Sequence, residues 1–119
     1  MTKQTFGREL RLLTPAHFQA VFQNPVRAGS PQITLLAVPN SLSHPRLGLV
    51  LAKKQLKTAV ARNRLRRLTR EFVRLNQGKL PAADVVIIVK KPAQELDNDE
   101  YRTLLEKLWK VLAKRLAKS

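Results

Sequence analysis

The residues of this chain whose types and spacing could do chemistry are cations. Lys53, Lys54, Lys57, Arg62, Arg64, Arg66, Arg67, Arg70 and Arg74 crowd into positions 53–74, where the only opposing charge is Glu71. No acidic residue at all occurs between Glu9 and Glu71. A block of that sign and density repels itself in a folded protein unless a polyanion is its intended neighbour. Arginine predominates over lysine from 62 to 74, which favours forked hydrogen bonding to phosphate as well as long-range attraction. Asn63 within that arc could read a base or a 2′-hydroxyl, or could equally bridge its own neighbours.

Other chemistries find few residues. Cysteine is absent, so disulfides and thiolate metal sites are excluded. His17 and His44 lie far apart in the chain, too few for a structural zinc site. Asp97, Asp99 and Glu100 form the only cluster that could coordinate a divalent metal, but at the start of a helix capping explains them better. Protein-based nuclease chemistry would need carboxylates or a histidine near the basic surface, which has almost none. No catalytic residue and no metal or cofactor on the protein are therefore expected. Phe18 and Phe22 are spaced to share a helix face, either as core or as the wall of a groove for an unpaired base.

The whole chain sets the limits of this reading. Its 119 residues fit one domain, 1–119, and 44% hydrophobic content suits a folded module. The net charge of +15 implies binding that weakens steeply with salt. A membrane surface is the competing polyanion, yet no apolar run approaches the roughly 20 residues needed to span a bilayer. No signal peptide is visible, so the expected compartment is the cytoplasm, with no membrane partner and no small-molecule substrate.

The elements that must position these groups follow from periodicity. Thr14-Pro15 starts a short helix that carries Phe18, Val21 and Phe22 and stops before Asn24-Pro25. Ile33–Val38 and Leu47–Ala52 read as strands, and the short polar loop between them suggests an antiparallel hairpin. A further short strand near Arg27–Gly29 would precede them. Ala61, Leu65, Leu68, Phe72 and Leu75 make one stripe of a helix over about 57–76, ended by Gly78. Arg62, Arg66, Arg70 and Arg74 form a second ladder spanning roughly 18 Å, with Asn63 and Arg67 in the same arc and Arg64 toward its other edge. Val85–Val89 is a strand buried on both faces, and a last helix faces Leu104, Leu105, Leu108, Trp109, Val111 and Leu112 inward. The order α-β-β(-β)-α-β-α is that of an α+β, two-layer α-β sandwich.

Lys53-Lys54 followed by Ala59-Val60-Ala61-Arg62-Asn63-Arg64-Leu65-Arg66-Arg67-Leu68-Thr69-Arg70-Glu71 resembles the signature of the bacterial ribonuclease P protein component. The likeness extends to Arg8–Pro15, Phe18–Phe22, Pro45–Leu49, Val86–Lys91 and Leu104–Trp109. It implies a sandwich whose basic helix lies in a left-handed crossover between parallel strands, against the usual preference. It also implies two RNA partners, the catalytic RNA subunit and precursor tRNA. The RNA would hydrolyse the 5′ leader with Mg²⁺, and the protein would be the noncatalytic subunit. By the same resemblance Lys53, Lys54, Arg62, Asn63, Arg64, Arg66, Arg67 and Arg70 contact the RNA subunit. Phe18, Phe22, Leu36 and Arg46 line the leader cleft, with Leu36 where some members carry tyrosine. A structural RNA-binding protein, such as a ribosomal component, shares the composition but not this motif.

Overall fold

The β-branched run near residue 85 organises the molecule. In the computed structural model, which describes residues 15–40, 45–51, 56, 58–76 and 82–118, it becomes a central strand, β4 (Ala83–Val89). Around it lie β1 (Val26–Gly29), β2 (Ile33–Pro39) and β3 (Arg46–Leu51), in the sheet order β1-β2-β4-β3. β1 pairs antiparallel with β2, β2 antiparallel with β4, and β3 parallel with β4.

The expected hairpin between the second and third strands is thus not formed. β4 inserts between them. Its side chains are apolar on both faces, so a place with a ladder on each side and a cover on each face suits it best. The parallel pairing of β3 with β4 then demands a crossover connection, and α2 (Ala59–Asn76) supplies it. The short strand near residue 27 is present, as edge strand β1.

α2 forms because Thr58 accepts a hydrogen bond from the Ala61 amide at 3.2 Å, and no Gly or Pro interrupts the next eighteen residues. Near its other end the Asn76 side-chain Nδ2 donates to the Phe72 carbonyl at 2.8 Å. Its buried stripe is Leu65, Leu68, Thr69, Phe72 and Val73. Leu75, expected in that stripe, is 60% exposed and Ala61 is half-buried. A helix with 3.6 residues per turn drifts away from a strict 3-4 alternation, so Thr69 and Val73 take the inner positions. Gly78, Thr14, the loop at 41–44 and residues 1–13 lie outside the described residues.

α3 (Asn98–Lys118) starts with a reciprocal cap. The Glu100 amide donates to Asp97 Oδ1 at 2.8 Å, and the Asp97 amide donates to Glu100 Oε1 at 2.9 Å. α3 buries Tyr101, Leu105, Leu108, Trp109, Leu112 and Leu116, whereas Leu104 and Val111 are only half-buried. It covers β1 and β2 while α2 packs beside it toward β3. The rings of Phe72 and Trp109 meet edge to face at 5.6 Å. These two helices close one sheet face over Ile33, Leu35, Ala37, Val85, Ile87 and Val89. α1 (Pro15–Gln23) lies on the other face, where Val21 packs with Leu36 and Val86. Sheet plus α2 and α3 make the two-layer α+β sandwich; α1 is a short cover on the far side.

Candidate nucleic-acid interface

The polar side of α2 is where its arginines come together. Asn63 and Arg67 are exposed, and Arg62, Arg66, Arg70 and Arg74 are partly so. The helix holds them in register, so the ladder from Arg62 to Arg74 is a stiff strip about 18 Å long. Local hydrogen bonds brace the strip. Arg66 Nη1 donates to Asn63 Oδ1 at 2.9 Å, which fixes the amide and leaves its NH₂ outward. Arg62 Nη1 donates to the Leu56 carbonyl at 2.6 Å, tying the segment before the helix to its first turn. Asn63 does bridge locally, as one of its two readings held.

Arg64 stands apart. Its Nη1 donates to Asn98 Oδ1 at 2.9 Å, and its Nη2 donates to the carbonyls of Leu96 at 3.0 Å and Gln94 at 3.3 Å. The guanidinium thus clasps α2 to the turn that opens α3, around the 3₁₀ helix Lys91–Glu95. Sequence placed it with the RNA-contacting arginines; here its charge is engaged inside the fold. Lys53 and Lys54, the other cations of that set, lie outside the described residues.

Nearby, Thr69 and Tyr101 share a buried hydrogen bond of 2.7 Å, and Thr69 Oγ1 also donates to the Leu65 carbonyl. Burial pushes the Tyr101 phenol up to about 12, against the opposing pull of the Thr69 hydrogen bond and the Arg64 charge.

The second group of candidates lies on the sheet face opposite α2. Phe18 packs half-buried against the Val21, Leu36 and Val86 cluster, with Val38, Val50 and Ile88 around it. Phe22 is 48% exposed at the rim. The structure therefore joins Phe18 to Leu36 and leaves Phe22 as an open aromatic surface beside them. Arg46 occupies one end of this face, but not as a free cation. Its Nε donates to Asp84 Oδ1 at 2.8 Å and its Nη2 to Asp84 Oδ2 at 2.7 Å, while Asn40 Nδ2 also donates to Oδ1 at 2.8 Å. The hydrogen bonding to Asp84 holds the Arg46 guanidinium above its usual range, fully charged. Asp84 is 6% exposed, so the pair braces β3 to β4 at their first register position.

Comparison with known proteins decides the family. A family model described as Ribonuclease P matches residues 6–113. The chain is 60% identical over 110 residues to the ribonuclease P protein component of Edwardsiella ictaluri, covering 92% of each. It is 57% identical to that of Photobacterium profundum, covering 96% of this chain and 97% of the other. This chain belongs to the ribonuclease P protein family. The fold agrees: the Staphylococcus aureus RNase P protein superposes with a TM-score of 0.81 at 27% identity, over 90% of this chain and 97% of that one. Membership carries the general role of a protein component of an endoribonuclease, in tRNA processing.

For a ribonuclease P protein the acidic residues are informative by where they are committed. Asp97 and Glu100 cap α3, Asp99 lies 3.4 Å from Arg102, Glu106 lies 3.2 Å from Lys110, and Asp84 is held by Arg46. Among the described residues no three metal-ligating side chains stand close enough to hold an ion. Also among them, no helix is long and apolar enough to cross a membrane. Sequence reasoning missed Asp84 as the partner of Arg46. The available signal was a lone acid opening an otherwise apolar strand, a position where burial requires a cation.

Proposed function

We propose that this chain is the RNA-binding, noncatalytic subunit of a cytoplasmic ribonuclease P. It binds the catalytic RNA subunit through the α2 strip of Arg62, Asn63, Arg66, Arg67 and Arg70, joined by Lys53 and Lys54. The 5′ leader of precursor tRNA lies along the open sheet face, beside Phe18, Phe22 and Leu36. Hydrolysis is the work of the RNA subunit with Mg²⁺ that the RNA holds. The protein's part is electrostatic and positional: it screens phosphates where two RNA strands approach and offers aromatic edges to unpaired bases.

The observation that carries this reading is the arginine strip itself, displayed on a capped and packed helix with only Glu71 among its charges. A rigid array gives up little conformational freedom on binding, so attraction to phosphate is not offset by ordering the protein. If about five phosphates of single-stranded RNA are neutralised, log affinity falls against log salt with a slope of about −3.5.

The deciding experiment mixes the protein, the RNA subunit and a precursor tRNA at low Mg²⁺. Faster 5′ cleavage than with RNA alone is expected, and no gain refutes the assignment. Affinity for precursor tRNA should also rise with leader length. Insensitivity to the leader would leave a purely structural RNA-binding role.

A further inference from the structure

The turn between β1 and β2 holds a recess of about 340 Å³ lined by Arg27, Gly29, Ser30, Thr34 and Arg115. Among the described residues no carboxylate lines it. Arg115, from the last turns of α3, donates a hydrogen bond to the Arg27 carbonyl, which caps edge strand β1 and stations a guanidinium at the rim. That bond uses one of five N–H groups. The Arg27 guanidinium has no hydrogen-bond or carboxylate partner among the described residues. Lys90 Nζ donates to the Ser30 carbonyl at 2.9 Å, adding a third cation beside the turn. Ser30 Oγ shapes that turn by accepting from the amides of Gln32 at 3.2 Å and Ile33 at 3.1 Å.

Thr34 adds a neutral hydroxyl to this charged recess. It is 5% exposed, yet its hydroxyl makes no hydrogen bond to any described residue. The hydroxyl belongs to a residue lining the recess, so it can hydrogen-bond to a group held there. Gly29 keeps the approach open, since a Cβ there would sit 3.4 Å from Thr34 Oγ1. By strand alternation Arg27, Gly29 and Thr34 project on the same sheet face as Leu36, and Arg27 is the register partner of Leu36. The recess is therefore continuous with the open face and lies at the sheet edge opposite β3.

We propose that this recess binds a phosphate of single-stranded RNA leaving the open face across β1, held by the Arg27 and Arg115 guanidinium groups and the Thr34 hydroxyl. The proposal rests on the reading of the open face as the leader's path, and extends that path to an edge that α2 does not reach. Charge-assisted bonds from two arginines supply the attraction, and the hydroxyl fixes the position of one phosphate oxygen.

The test uses the full chain and single-stranded RNA oligonucleotides of increasing length, titrated at several salt concentrations. Arg27→Gln should weaken binding of long oligonucleotides about tenfold and flatten the salt slope by about 0.7. Thr34→Val keeps the shape and removes only the hydroxyl; it should weaken long oligonucleotides about threefold. Neither should alter the binding of oligonucleotides too short to reach the edge. Thr34→Val carries the test should Arg27→Gln melt below the native protein, because that hydroxyl has no protein partner to lose. Native-like affinity and slope in Thr34→Val and in a folded Arg27→Gln overturn the site while the leader path stands. A native protein whose affinity ignores oligonucleotide length overturns both.

Discussion

The two faces of the sheet are built from the same strands and finished differently. On one, α2 and α3 bury Ile33, Leu35, Ala37, Val85, Ile87 and Val89 completely, or nearly so. On the other, α1 covers Leu36 and Val86 but leaves Phe18, Val38, Val50 and Ile88 half-buried and Phe22 exposed over about half its surface. Their polar contacts differ in kind too. The closed side joins its helices by the buried Thr69–Tyr101 hydrogen bond and by Arg64 donating to neutral oxygens, and the open side joins its strands by an ion pair, Arg46–Asp84. Stability is concentrated on the first face. The second keeps apolar and aromatic surface available, which is what a site for unpaired bases requires.

The comparison can be broken at its charged brace. Arg46→Ala strands the Asp84 carboxylate in a site with little access to water and should cost roughly 3–5 kcal/mol in urea denaturation. A loss under about 1 kcal/mol would mean the open face is wet enough to solvate the carboxylate, so the two faces would differ more than burial suggests. Leu68→Ala opens a cavity under α2 and should cost about 2–5 kcal/mol. Phe22→Ala on the opposite face should stay within about 0.5 kcal/mol. Equal losses for Leu68→Ala and Phe22→Ala would erase the distinction between closed and open.

Titration sharpens the same contrast. The folded phenol of Tyr101 ionises near 12 and an unfolded one near 10. The neutral form is the one the fold favours, so its contribution is fully present below pH about 10 and disappears as pH rises toward 12. Chemical denaturation across that window should show a fall of roughly 2–3 kcal/mol that Tyr101→Phe lacks. A Tyr101→Phe variant with the same fall would assign it to other groups. The smallest effect on folding belongs to the displayed strip. Arg67→Ala should change stability by less than about 0.5 kcal/mol, yet reduce the salt slope of RNA binding by about 0.7. A thermal melt alongside a salt titration separates these two readouts.

Much of this was legible in the chain because it depends on local periodicity. The arginine ladder, the buried run of β4, the acidic cap of α3 and the Phe18–Phe22 spacing all follow from residue order at a helix or strand repeat. Lys53 and Lys54 belong to the same motif and lie outside the described residues. Individual arginines were another matter. Arg64 and Arg67 look alike in sequence, but one is spent on Asn98, Gln94 and Leu96 and the other faces solvent. Nothing in the sequence near Arg46 names Asp84, which lies 38 residues away.

By itself, then, the order of residues determined the density of positive charge, the principal helices and strands, and which side of α2 is cationic, since these need only composition and a repeat along one segment. Only the tertiary structure decided that β4 separates β2 from β3, that α1 takes the far face, and which guanidinium groups are consumed as braces. Strand pairing and ion pairing depend on which distant segments can share burial, and a dry carboxylate selects its cation by proximity in space, not in sequence.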